Sequence, residues 1–107
     1  MGPNAVLGDG VECYSVAQVL LEDGAVVSQR AFLCTASRDI DAPDRPLVAA
    51  PIKICAGGWV AAEAFIGPGV EIGPGGVASA RSVVFKDVPS MAIVTGNPAS
   101  LKRYKRS

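Results

Sequence analysis

The side chains that could do chemistry here are few. Histidine is absent from all 107 residues, which removes the group most used to move protons near neutral pH. Cys13, Cys34 and Cys55 are odd in number and form no CxxC pair, so neither a disulfide framework nor a zinc site is implied. Packed, reduced thiols in a cytoplasmic protein fit better. Lys102, Arg103, Lys105 and Arg106 crowd the last six residues, leaving six basic against ten acidic groups upstream in a chain of zero net charge. No overall field attracts a polyanion, and the lone Tyr104 in that cluster offers little stacking surface for single strands; nucleic acid is not expected as a partner. One polar, Pro-containing stretch at 38–47 (RDIDAPDRPL) stands out from its aliphatic surroundings. It reads as a loop extruded to reach a ligand or neighbour, or else as a tolerated surface insertion.

The elements that must position these groups are set by a repeat of six. Aliphatic residues recur at Ile54, Val60, Ile66, Ile72, Ala78 and Val84, and a small or β-branched residue follows four places on at Gly58, Ala64, Val70, Gly76, Ser82 and Val88. The same frame runs upstream through Leu21, Val27 and Leu33, and through Leu7 and Cys13, with two extra residues near Val19 and Leu20 between the blocks. The polar stretch breaks the frame, which is expected to resume at Val48. A six-residue period suits a short strand, a corner and another short strand. Gly67-Pro68-Gly69 and Gly73-Pro74-Gly75 have corner chemistry, and Gly10, Gly24 and Gly57 hold the equivalent fourth place. Only six residues are aromatic, so Val, Ile, Leu and Ala must fill a narrow core. A β-sandwich, the other reading of so turn-rich a chain, needs alternation but no fixed six-residue register. The expected architecture is one all-β solenoid domain over 1–107, a parallel β-helix with an extruded loop at 38–47 and a basic tail at 100–107. No stretch is long and apolar enough to span a membrane, and the start does not read as a signal peptide.

These repeats, with VSQRAFLCTAS at 27–37, WVAAEAF at 59–65, Lys86-Asp87-Val88-Pro89 and Gly96-Asn97-Pro98-Ala99, resemble the hexapeptide-repeat acetyltransferases, nearest to the group associated with colanic acid biosynthesis. The resemblance implies a left-handed coil of triangular section, a homotrimer, and acetyl-CoA as donor in a groove between coils. It also implies an additional N-terminal portion in relatives; here Met1–Asn4 or trimer contacts are expected to blunt the first coil's edges.

The family transfers acetyl to a sugar hydroxyl, with a loop histidine between serine and aspartate removing the proton. The matching triplet here is Ser37-Arg38-Asp39. Arginine cannot deprotonate at neutral pH, and an oligomer of this chain brings no histidine from a neighbour. Glu63, Asp39 and Asp41 are substitute bases by position, or plain solvated corner and loop charges. By the same resemblance Ala62 and Ala80 border the pantetheine arm, Trp59 stands beside the catalytic position or merely covers the coil's rim, and Lys86 with Arg103 of the terminal cluster meets the nucleotide phosphates, or that cluster is a plain solvated, disordered tail. Ser100 occupies a place where relatives often carry arginine. The metal-dependent carbonic anhydrases of the same fold need three histidines and are excluded. Two functions remain: an acetyl-CoA-dependent saccharide O-acetyltransferase lacking the usual base, and a non-catalytic trimeric scaffold that binds CoA or a sugar.

Overall fold

The computed structural model describes residues 5–14, 18–38 and 47–105, with backbone alone described at Glu12, Tyr14, 36–38, Leu47 and Val48. The described residues form strands and turns: β1 (Val6–Leu7), β2 (Glu12–Tyr14), β3 (Val19–Leu21), β4 (Val26–Val27), β5 (Phe32–Cys34), β6 (Ala36–Arg38), β7 (Leu47–Ala49), β8 (Ile52–Ile54), β9 (Trp59–Val60), β10 (Phe65–Ile66), β11 (Glu71–Ile72), β12 (Val77–Ala78), β13 (Val83–Val84), β14 (Ala92–Gly96) and β15 (Ala99–Tyr104).

Three faces result. The first stacks β1, β4, β9, β12 and β14 in parallel and is closed by antiparallel β15; the second stacks β2, β5, β10 and β13; the third stacks β3, β8 and β11, extended by a bridge from Ile72 to Val88. Register gives the coil length directly. Trp59 pairs with Val77, Phe65 with Val83 and Lys53 with Glu71, each eighteen residues apart, or three units of six per turn. Val6 pairs with Val26, twenty apart, which accommodates the two extra residues.

Within each short strand the pleat turns one side chain out and the next inward. Leu33, Ile66 and Val84 therefore stack inside one face, and Val27, Val60 and Ala78 inside another, all at most 2% exposed. Each full burial of a valine, leucine or isoleucine among them is worth about 1.5–3 kcal/mol. Ala25, Ala31, Ala64 and Ser82 at the fifth place are also buried, as are Val70 and Val88 at the same place in other units. The stacking leaves the first coil uncovered among the described residues: Leu7 is 46% exposed while its partner Val27 is 0% exposed, and Cys13 is exposed above buried Leu33.

Two segments differ from the sequence-based expectation. The coil resumes at Ile52 rather than Val48. Leu47–Ala49 pairs antiparallel with Ala36–Arg38 outside the stack, whereas Ile52 is fully buried and pairs with Val19; residues 39–46 of the expected loop lie outside the described residues. At the other end, residues 99–104 form β15 because the chain doubles back through Gly96-Asn97-Pro98 and uses the free edge of β14. Of the expected tail, Arg106 and Ser107 lie outside the described residues.

Candidate functional site

The corners carry the candidate residues. Nine of the described corners take their second residue into the left-handed region, glycine at Gly10, Gly24, Gly57, Gly69 and Gly75, but Arg30, Glu63, Arg81 and Met91 at the other four; the corner at Lys86 does not. Corners stack through the backbone as well. Between the first and second faces, the Glu63 N–H donates to the Gln29 carbonyl at 3.1 Å and the Arg81 N–H to the Ala62 carbonyl at 3.0 Å. Ala62 and Ala80 thus sit one above the other on this corner.

Trp59 is next to that corner, on the outer side of the first face and 48% exposed. Its indole Nε1–H donates to Ser28 Oγ at 2.8 Å, fixing the ring across the coil boundary. Outward positions of this face run in register from Trp59 through Val77 and Ile93 to Arg103. The structure therefore gathers Trp59, Ala62, Ala80 and Arg103 on one side of the coil.

Lys86 lies elsewhere. It occupies the corner between the second and third faces, where it lines a groove of about 260 Å³ with Asp87, Pro89, Ser100 and Leu101. Glu63 is exposed at its corner with φ 60°, and its Oε1 is 3.7 Å from Arg81 Nη2. That geometry is a solvated ion pair, with Arg81 80% and Glu63 45% exposed. Arg38 belongs to β6 by its backbone, but its side chain lies outside the described residues, as do Asp39 and Asp41. Among the described residues no group of three His, Cys, Asp or Glu side chains is placed to hold a metal, and no helix is long and apolar enough to cross a membrane. Cys55 is buried, and burial first, then the Glu71 and Glu22 carboxylates, pushes its thiol above the ordinary value despite Lys53 nearby.

Sequence reading missed a second groove, of about 330 Å³, on the same side as Lys86. Gln18, Leu20, Pro51, Lys53, Gly69 and Glu71 line it. These residues come from three successive coils, so only stacking brings them together; the break in the repeat just before Pro51 was the one available signal.

Identity to a curated relative and superposition on solved structures show that this chain belongs with the hexapeptide-repeat acetyltransferases. It is 39% identical over 105 residues to WcaF of Escherichia coli (strain K12), named as a colanic acid biosynthesis acetyltransferase, covering 98% of this chain and 58% of that protein. The chain thus spans less than two thirds of the length of that relative. Among solved structures it superposes with a TM-score of 0.84 and 28% identity on a hexapeptide-repeat acetyltransferase of Vibrio cholerae complexed with acetyl coenzyme A, covering 97% of this chain and 62% of that one. A maltose O-acetyltransferase of Clostridium difficile gives 0.79 and 26%, covering 97% and 60%. No family model matches the chain.

Proposed function

We propose that this chain forms a left-handed, trimeric β-helix in the cytoplasm that binds acetyl-CoA and presents its acetyl group to a saccharide hydroxyl. The observation that carries the reading is the strip of Trp59, Ala62, Ala80 and Arg103 along one side of the coil. An aromatic rim, two small corner side chains and a cation suit the pantetheine and phosphate parts of the donor. Lys86, on another corner of the same chain, meets those phosphates from a neighbouring copy. The acetyl-CoA complex of the Vibrio cholerae relative supports the donor. The trimer is supported by an apolar outer side: Phe32 stacks on Phe65 at 5.5 Å, Phe65 lies 5.8 Å from Phe85, and Phe85 is 58% exposed. Cys13 and Cys55, neither of them in a disulfide, suit a reducing compartment.

Without histidine, proximity and orientation remain, while the general-base contribution of about 10² to 10⁴ in rate is lost. That loss favours a second reading, a trimer that binds CoA or a sugar without turning it over. Calorimetric titration with acetyl-CoA and CoA tests the donor site. Micromolar, saturable binding at one site per chain is expected; its absence in a folded, trimeric sample overturns the proposal.

A further inference from the structure

We infer that the groove over Leu20 and Pro51 is a subsite for a neutral saccharide, the acceptor in the reading above. It rests on that reading for the word acceptor, though not for the binding itself. The groove, about 330 Å³, lies at the lower end of the range of about 300–1,000 Å³ typical of small-ligand pockets. Its floor is apolar, with Leu20 37% exposed and Pro51 beside it, which suits the C–H face of a pyranose. Its rim supplies what hydroxyls require, both donors and acceptors: the Gln18 amide, the Lys53 ammonium and the Glu71 carboxylate.

Charge selects against an anionic ligand. Lys53 is held 3.7 Å from Glu22, and Glu71 is its register neighbour on the next coil, so two carboxylates face one ammonium. A phosphorylated donor is disfavoured here, whereas a neutral polyol meets no such penalty. Position supports the role. The groove adjoins the root of the β6–β7 hairpin, since the Gly69 N–H donates to the Ala50 carbonyl at 3.3 Å and the Ala50 N–H to the Thr35 carbonyl at 2.9 Å. It also abuts the groove of Lys86: the Glu71 N–H donates to Asp87 Oδ1 at 2.9 Å, joining one lining to the other.

The test follows backbone amide resonances of the ¹⁵N-labelled full chain while glucose, galactose, N-acetylglucosamine and maltose are each added, with glucose 6-phosphate as the charged counterpart. At least one neutral sugar should shift the amides of Gln18, Lys53, Gly69 and Glu71 saturably, and more tightly than the phosphate does. Gln18→Ala and Glu71→Gln, both at exposed positions, should each weaken that binding about three- to tenfold, the effect of one lost hydrogen bond, with the remaining spectrum unchanged. No response at these amides to any neutral sugar, a response insensitive to both substitutions, or equal binding of glucose 6-phosphate would overturn the assignment. Acetyl-CoA titrated into the same sample separates the two readings. Donor binding without sugar binding defeats only the groove; sugar binding without donor binding defeats only the donor reading.

Discussion

Replacing Glu63 with glycine should leave the protein about as stable as its parent, although the change deletes an ion pair. Glu63 sits at φ 60°, a conformation that costs an L-residue roughly 1–2 kcal/mol. Glycine removes that cost but loses about 0.5–1 kcal/mol more chain entropy on folding. The pair with Arg81 is 3.7 Å long with Arg81 80% exposed, so its contribution falls at the low end of roughly 0–1 kcal/mol. These terms nearly cancel for glycine. Alanine keeps the left-handed penalty and also loses the pair, so Glu63→Ala should fall below Glu63→Gly by roughly 1 kcal/mol. Urea unfolding reads the difference as a shift in midpoint at constant slope. Alanine equal to or above glycine would refute the view that this residue is chosen by its backbone. A base at this position would behave differently: Glu63→Gln would then leave stability intact and cut acetyl transfer by about 10² to 10⁴.

Three further outcomes are expected. Ile66→Ala, at a fully buried position stacked between Leu33 and Val84, should cost about 2–5 kcal/mol in urea unfolding; a loss below about 1 kcal/mol would show that the coil collapses around the gap. Arg38→His should raise acetyl transfer to a good acceptor by up to about 10² to 10⁴, with activity rising as pH passes the usual imidazole value of about 6.5; an unchanged rate with donor bound would dismiss a missing base as the explanation. Because the folded thiol of Cys55 lies above its ordinary 9.0, the unfolded chain ionises first. Its contribution to stability is therefore full below about pH 9 and lost as pH rises through the folded value. Urea midpoints between pH 8 and 10.5 should decline less steeply for Cys55→Ala than for the parent, and equal slopes would deny the thiol that role.

The solenoid was legible because its period is local. One inward aliphatic and one small residue per unit fill each coil, and those are the positions the structure buries, from Val27 through Ile66 to Val84. Corner glycines were legible for the same reason, as the left-handed turn favours glycine at Gly24, Gly57 and Gly75. The left-handed Arg30, Glu63, Arg81 and Met91 were not, because a corner already held from above and below by backbone bonds such as Glu63 N–H to Gln29 tolerates a residue that gives no such signal.

What the sequence determined by itself was the coil, the break after Ser37 and the absence of any histidine; these follow from which residues occur and how often they repeat. Only the tertiary structure decided which of them meet. It set Lys86 on the corner between the second and third faces but Trp59 and Arg103 on the first face, folded residues 99–104 back as β15, and assembled Gln18, Pro51, Lys53 and Glu71 into one groove. The physical reason is the stacking itself. Neighbours across a coil boundary are eighteen, twenty or, across the hairpin, thirty-three residues apart, and no local pattern states which of those distances applies until the strands have paired.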